Sequence, residues 1–240
     1  MTGGERPFLT AEWRDLVMLQ YEVPPDFLAS SIPRGTELDL WQGRALVSLV
    51  GFRFIRTRIR GVAIPFHINF DEVNLRFYVR REAPEGARRG VVFIREIVPR
   101  RAIAVIARAL YNEPYLACPM RHRVQLSETS GRAQYEWKHE GSWCGVEAAT
   151  TGPIGPCAPA SEAEFITEHY WGYTAQPEGE TLEYRVTHPR WRVWSATGST
   201  TGEMRTMYGP AFGEILMSSP TSAFIADGSP VKVFAGHRVA

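Results

Sequence analysis

The sequence predicts an α+β domain in which many short strands form a barrel or a strongly curved sheet beside a few helices. Three observations support this fold class. Runs of alternating apolar and polar residues recur along the chain, and the clearest occupies residues 70–80. Turns that contain Gly or Pro separate these runs at short intervals. No repeat, low-complexity tract or long linker interrupts the 240 residues, so we expect a single domain over residues 1–240.

The first third of the chain predicts a buried strand, a short helix and a hairpin. Residues 16–19 are apolar on both faces, which indicates a buried strand. Pro25 lies in the first turn of a short helix that Pro33 ends. Residues 37–41 and 45–54 then predict a hairpin, because a polar turn joins two runs with strand character.

The middle of the chain predicts a helix between strands. Residues 90–97 form a strand that follows a turn, and residues 99–110 repeat apolar side chains at helical spacing after Pro99. Three antiparallel strands are then expected at residues 121–126, 132–138 and 142–149.

The last third begins with a helix and ends with strands. Ser161 and Glu164 form a capping box, which predicts a helix over residues 161–171. The segment 198–202 is small and polar and reads as a hairpin turn, with a helical turn expected between 208 and 219. The strands expected here span residues 181–186, 190–197, 201–207 and 231–239.

The composition excludes several classes of protein. Apolar residues make up 44% of the chain and the formal charge is +1, which favours a packed core over a surface for nucleic acid or lipid. No run approaches the roughly 18 apolar residues that a membrane span requires. The first residues carry charges where a secretion signal would be apolar. We therefore expect a cytoplasmic protein with neither a nucleic-acid nor a membrane partner.

Residues 65–80 carry the most informative pattern. The odd positions after Asp71 are apolar, whereas Glu72, Asn74 and Arg76 follow one another on the other face. Side chains two residues apart in a strand share a face and lie about 6.6 Å apart, at roughly 3.3 Å per residue. Such a row is either a solvated outer face or the polar lining of a barrel interior.

Several stretches match the pattern of one bacterial family. Residues 70–79 carry F-x-E-x-N-x-R-x-Y-V, which is the most specific match. Further matches follow in order at residues 92–97, at Pro114-Tyr115 with Met120, at residues 164–170, and at His188-Pro189 with Trp191. Together they resemble the YqjF-like family of unknown function, from about residue 9 to the C-terminal strand.

The resemblance implies a fold similar to acetoacetate decarboxylase, which is a cone-shaped antiparallel β-barrel with an internal ligand cavity and a few flanking helices. Those decarboxylases form a Schiff base through a lysine whose pKa is lowered. The corresponding segment here, residues 113–117, contains no lysine, and the chain has only Lys138 and Lys232. We therefore predict that this chain is not an acetoacetate decarboxylase, despite the fold.

A barrel of this type would place several polar residues around its cavity. Glu72 is the candidate catalytic acid or base, and Arg76 suits a carboxylate ligand. Each candidate also has a structural alternative. Glu72, Asn74 and Arg76 would form a buried network, His67 would be a hydrogen-bonded structural histidine, and Cys118 would be an inert thiol. The candidate ligand-binding residues are Asn74, Arg76, His67, Tyr115 and Cys118.

No metal or cofactor is expected. The six histidines contain no pair two or four residues apart, the three cysteines are irregularly spaced, and no nucleotide-binding glycine motif occurs. Charge is segregated, since residues 53–108 contain 13 Arg and 5 acids whereas residues 109–183 contain 4 basic residues and 11 acids. These halves would pair across the fold or across a subunit interface, and we expect a homo-oligomer.

Three functions fit this sequence. The first is a binding protein that holds a small organic acid or an apolar metabolite inside the barrel. The second is a non-covalent lyase or hydro-lyase on a small keto or carboxylic acid, with Glu72 as the acid or base. The third is an interaction protein whose charge segregation drives assembly. We favour the first, because the diagnostic catalytic lysine is absent.

Overall fold

Strands make up most of the structure, a computed structural model that describes residues 5–102, 105 and 112–239. The strands are β1 (Leu9–Val23), β2 (Glu37–Leu38), β3 (Ala45–Ile59), β4 (Phe70–Ala83), β5 (Gly86–Val98), β6 (Tyr115–Ala117), β7 (Met120–Leu126), β8 (Gly131–His139), β9 (Ser142–Thr150), β10 (Gly155–Pro156), β11 (Trp171–Ala175), β12 (Thr181–Thr187), β13 (Arg192–Thr201), β14 (Ser222–Val233) and β15 (His237–Val239). The helices are α1 (Pro25–Leu28), which continues as a 3₁₀ turn at Ala29–Ser31, α2 (Glu162–Thr167) and α3 (Arg205–Met217).

Seven strands pair into a closed ring. Their order is β12-β11-β5-β4-β3-β1-β14, and β14 returns to β12 through the pairs Val186–Val233 and Thr187–Lys232. Strand β5 runs parallel to both β11 and β6, whereas the other pairings are antiparallel. The predicted mostly-sheet fold with few helices is confirmed. The expectation of a wholly antiparallel sheet is wrong, because β11 and β6 each reach β5 through crossover segments rather than hairpins.

The strands of the ring bury apolar residues on both faces. On the outer face, Leu49 and Leu75 belong to a core that includes Trp137 of β8, which is fully buried. On the inner face, Met18 and Phe52 belong to a second core. Truncation of a buried tryptophan to alanine typically costs about 3–5 kcal/mol, so the packing of β7–β9 on the ring is a large part of the stability.

Two predicted strand arrangements differ from the structure. Strand β2 does not form a hairpin with β3 but pairs with β4, through Glu37–Arg80 and Leu38–Val79. Most of the predicted turn at residues 198–202 is instead the end of β13, which extends to Thr201. Within this strand, a Cβ on Gly198 would lie only 2.4 Å from Leu19 Cδ2. Glycine here permits close packing and does not mark a turn.

The predicted strand at residues 201–207 is also wrong. Strand β13 ends at Thr201, and Gly202 follows with a φ of +84°, a conformation that favours glycine. Helix α3 begins at Arg205 and is interrupted at Gly209, whose φ of 79° and ψ of 167° lie outside the helical region. Pro210 comes next, where its ring fixes the first turn of the continuing helix.

The other predicted helices have different outcomes. The Ser161 hydroxyl accepts a hydrogen bond from the Glu164 amide at 3.2 Å, as the capping box predicts, but α2 ends at Thr167 rather than at Trp171. The short helix at Pro25 is confirmed. Most of the helix predicted over residues 99–110 lies outside the described residues.

The basic and acidic parts of the chain meet within the fold. Glu183 on β12 is completely buried and forms ion pairs with Arg81 of β4 and Arg88 of β5. The Arg81 contact measures 2.7 Å between Nε and Oε2. These charges therefore stabilise the ring of one chain, and the homo-oligomer remains a prediction. None of the helices in the described ranges is long and apolar enough to cross a membrane.

Gly172 offers a test of the packing between β11 and β12 in the ring. A Cβ at this position would lie 2.1 Å from Cζ of Tyr184, which is its partner residue on β12. We expect Gly172→Ala to lower the melting temperature by about 2–10 °C, because overpacking of this kind costs about 1–3 kcal/mol. Differential scanning calorimetry provides the measurement. Gly152→Ala is the control, since a Cβ there would meet nothing within 4 Å, and equal melting temperatures for the two variants would contradict the prediction.

Candidate functional site

A cavity of ≈ 220 Å³ lies inside the ring of strands. Each of the seven ring strands contributes residues to its lining, and α2 contributes Ile166 and Thr167. Aromatic and aliphatic side chains form most of the walls, so the interior excludes water from the polar groups that remain. The apolar walls include Trp13, Leu16, Phe52, Phe54, Phe70 and Phe93.

The polar row of β4 faces this cavity. Glu72, Asn74 and Arg76 all line it, whereas the alternate residues Val73 and Leu75 belong to the outer core. Of the two alternatives left open by the sequence, the structure therefore has the interior one. Glu72 is 3% exposed and Asn74 is 2% exposed, so this face is nearly dry.

Glu72 occupies the dry end of the row. Its carboxyl accepts hydrogen bonds from Asn74 Nδ2 at 3.0 Å and from the Tyr115 hydroxyl at 3.2 Å. Burial raises the pKa of Glu72 to about 7, against the lowering effect of these two hydrogen bonds and of the positive charge of Arg76. Glu72 can therefore exchange a proton near neutral pH, which suits an acid or a base.

Two further carboxyl groups lie beside Glu72. Glu96 is 1% exposed and sits across from Asn74 on β5, where a register shift between Leu75 and Arg76 turns it inward. Burial, together with the charges of Glu113 and Glu72, holds the pKa of Glu96 well above its usual range. Burial therefore favours the protonated form of Glu96.

Glu113 completes this carboxyl cluster, defined as Glu72, Glu96 and Glu113. It accepts a 2.5 Å hydrogen bond from the hydroxyl of Tyr184. Burial raises the pKa of Glu113 to about 8, and the negative charge of Glu72 contributes to the shift. Among the described residues, no lysine, arginine or histidine forms an ion pair with the cluster.

Arg76 lies at the other end of the row. In the described part of the chain its guanidinium group forms no ion pair, and its buried Nε has no hydrogen-bond partner. The nearest aromatic ring is that of Tyr78, with Cζ 5.9 Å from the centroid. Arg76 is half-buried and lines the cavity, so its positive charge lies beside apolar walls without a direct ion-pair partner among the described residues.

His169 also lines the cavity, held by Asp39. Its Nε2 lies 3.0 Å from Asp39 Oδ2, and the Arg89 Nε donates to the same oxygen at 2.6 Å. Burial lowers the pKa of His169 to about 4, against the raising effect of the hydrogen bond with Asp39. Although burial acts to raise the pKa of Asp39, the hydrogen bonds from His169 and Arg89 outweigh it and lower that pKa. Burial therefore favours the neutral imidazole form of His169.

The remaining candidates from the sequence lie in different places. His67 and Tyr115 line the cavity, but Cys118 does not, because it packs in the outer core with Trp137 and burial raises the pKa of its thiol. Lys138 and Lys232 are both exposed, and neither lines the cavity. Among the described residues, no group of three or more His, Cys, Asp or Glu side chains is arranged to hold a metal ion.

The sequence did not identify four cavity residues that the structure brings together, Glu96, Glu113, Tyr184 and His188. The signal for Glu96 was a single acid inside the apolar strand of residues 90–97. Single acids of this kind are costly to bury and mark functional positions more often than ordinary surface acids do. The other three gave no such signal in one sequence, since Glu113 and His188 each precede a proline and Tyr184 is an ordinary residue in the middle of β12.

Solved structures define the class of fold. The chain is similar to acetoacetate decarboxylase from Legionella pneumophila, with a TM-score of 0.68 and 15% identity over 98% of this chain and 87% of that one. It is also similar to the enduracididine biosynthesis enzyme MppR with HEPES bound, with a TM-score of 0.70 and 15% identity over 98% of this chain and 88% of that one. The fold is therefore acetoacetate decarboxylase-like.

The family follows from the sequence itself. The pattern of family DUF2071, described as "Uncharacterized conserved protein", matches residues 10–230, and the chain belongs to this family. The uncharacterised protein YqjF of Bacillus subtilis is 28% identical over 161 residues, which is 66% of this chain. The matched region spans 62% of the length of YqjF. The YqjF-like resemblance seen in the sequence is confirmed.

The carboxyl cluster predicts how stability depends on pH. The folded-state pKa of Glu113, about 8, exceeds its ordinary value of 4.5, so the folded protein binds more protons than the unfolded chain within that window. The contribution of Glu113 to the free energy of unfolding is therefore fully present below about pH 4.5 and falls as the pH rises to about 8. The titratable and charged groups around it are Glu72, Glu96, Tyr115, Tyr184 and Arg76.

We expect Glu113→Gln to remove part of this dependence. The difference in melting temperature between variant and wild type should be small at about pH 4.5 and favour the variant by at least about 3 °C at about pH 8.5. Thermal melts across this range provide the measurement, with the exposed substitution Glu140→Gln as control. A difference that stays constant with pH would contradict the prediction.

Proposed function

We propose that the cavity binds a small organic acid, with the carboxylate of the ligand beside Arg76 and its apolar part against the aromatic walls. The observation that carries the proposal is the guanidinium group of Arg76, which lines the cavity without an ion pair in the described part of the chain. A cation left unpaired in such a site is costly, and a planar guanidinium matches a carboxylate through two parallel hydrogen bonds. A ligand carboxylate would satisfy both conditions.

The surrounding charges support an anionic ligand. Burial raises the pKa values of Glu96 and Glu113, which favours their neutral forms and reduces their repulsion of a ligand carboxylate. His169 is neutral as well and cannot replace Arg76 as the cation. The enzyme MppR, which shares this fold, has been solved in complex with pyruvate, itself a small 2-oxo acid.

The proposed function does not include Schiff-base chemistry. An imine requires a buried amine whose pKa is lowered by desolvation or by a neighbouring cation. Both lysines of this chain are exposed and lie outside the cavity lining. The fold similarity therefore does not carry the decarboxylase reaction with it.

A second function is favoured by one observation, the pKa of about 7 of Glu72. A carboxyl that titrates near neutrality inside a cavity suits general acid–base catalysis. In a non-covalent lyase, the carboxylate form of Glu72 would accept a proton from the carbon beside the carbonyl or carboxyl group of the ligand. The acid form would then return that proton to the departing group.

Substitution of Arg76 tests the binding function. We expect pyruvate and propanoate to raise the melting temperature of the wild type, and Arg76→Gln to weaken their binding by at least about tenfold in calorimetric titration, because the counter-ion is lost. Arg123→Gln on the exposed side of β7 is the matched control. Equal affinities for wild type and Arg76→Gln would remove Arg76 from the site.

Substitution of Glu72 tests the acid–base function. We expect the wild type to accelerate exchange of the pyruvate methyl protons with deuterium, measured by NMR, and Glu72→Gln to slow this exchange by at least about a hundredfold with pyruvate affinity retained. Borohydride added to the same samples is expected to leave the protein mass unchanged. Exchange that persists in Glu72→Gln would exclude Glu72 as the base, and a reduced adduct on either lysine would overturn the non-covalent mechanism.

A further inference from the structure

One carboxyl oxygen in the cavity has an unmet hydrogen-bonding requirement. Oxygen Oε2 of Glu96 is buried and has no hydrogen-bond partner among the described residues, although the Tyr115 hydroxyl lies near enough to this side chain to oppose the raising of its pKa by burial. The side chain is 1% exposed and lines the cavity. A buried polar atom left without a partner costs about 1–3 kcal/mol, so a polar ligand group beside Oε2 would be favourable, and a cationic donor would suit its carboxylate form.

The other two carboxyls of the cluster reinforce this requirement. Tyrosine hydroxyls already donate to Glu72 and Glu113, and no cation of the described chain pairs with any of the three acids. Protonation then allows the three acids to lie together, since burial raises all three pKa values and the charge of Glu72 adds to the shifts of Glu96 and Glu113. A cationic ligand group would replace a proton in this role, because opposite charges stabilise each other strongly in a medium of low dielectric constant.

From these contacts we infer that the ligand is an amino acid with separated charges, whose carboxylate pairs with Arg76 and whose ammonium group pairs with Glu96 and its neighbours. The inference rests on the proposed function, since Arg76 holds the carboxylate in both. It adds a second subsite and a class of ligand.

The register of the strands sets the offset between the backbone positions of the two subsites. Glu96 lies across from Asn74, which is two residues from Arg76, so the Cα atoms of Glu96 and Arg76 are offset by roughly 6.6 Å along β4 and lie on neighbouring strands. A ligand with its two charges separated by a methylene chain suits this arrangement better than an α-amino acid, whose two charged groups share one carbon. An extended 5-aminopentanoate separates them by a similar distance, and the apolar walls at Phe52 and Phe93 would contact its methylene groups.

The test compares 5-aminopentanoate with pentanoate, which differ only in the amine. We expect the wild type to bind the amino acid at least about tenfold more tightly in calorimetric titration. Titrations in buffers of different ionisation enthalpy should show proton release with 5-aminopentanoate and none with pentanoate, because the ammonium group displaces a proton from the cluster. This second readout needs only the wild-type protein.

Two variants separate this inference from the proposed function. Glu96→Gln should reduce the preference for 5-aminopentanoate over pentanoate from at least about tenfold to about twofold or less, whereas Arg76→Gln should weaken the binding of both ligands and keep the preference. Glu140→Gln, an exposed acid, is the control. Equal wild-type affinity for the two ligands, or binding without proton release, would overturn the ammonium subsite while Arg76-dependent binding of pentanoate would still support the proposed function. Failure of both ligands to bind would overturn both.

Discussion

Closure of the strand ring is the constraint on which the site depends. In the described chain two residue pairs join β12 to β14 and two join β11 to β5, which are few contacts for so large a sheet. At the second junction Gly90 lies opposite Trp171, and a Cβ on Gly90 would lie 2.5 Å from the Trp171 carbonyl oxygen. Without these junctions the row of Glu72, Asn74 and Arg76 would lie on an open sheet face in water. Closure therefore converts an ordinary amphipathic strand into the wall of a dry cavity.

A dry cavity acts in opposite directions on acids and on histidines. Burial raises the pKa values of Glu72 and Glu113 and lowers that of His169, so each group moves towards its neutral form. Arg76 cannot follow, since a guanidinium group stays charged at any ordinary pH. Burial therefore reduces the charge of the acids and of His169, whereas the positive charge of Arg76 remains. This distribution supports the proposal of an anionic ligand, whose selection would arise from desolvation rather than from many charged contacts.

The sequence could predict the parts of this arrangement that are local. Strand β4 and the shared face of Glu72, Asn74 and Arg76 follow from a two-residue period, which needs no knowledge of the rest of the fold. The period is the same whether that face is inside or outside, so the choice between the two came only from the family resemblance. Glu96 was marked only as an acid inside an apolar strand, and its inward direction could not be predicted, because the register shift beside Arg76 changes which β5 residues face inward. Cys118 was expected at the cavity but packs in the outer core. Its segment follows the end of a predicted helix and contains two prolines, so no periodic pattern shows which way its side chain points.

The missing lysine and the carboxyl cluster have a common physical interpretation. In a Schiff-base enzyme the protein provides the amine and the ligand provides the carbonyl group. Neither lysine of this chain lines the cavity, whereas three acids do, and these acids form no ion pair among the described residues. A buried acid without a cation remains protonated, so the cavity can accept positive charge from a ligand at the cost of one proton. The same fold would then bind the amine as part of its ligand rather than supply it, which is why the shared architecture does not imply the shared reaction.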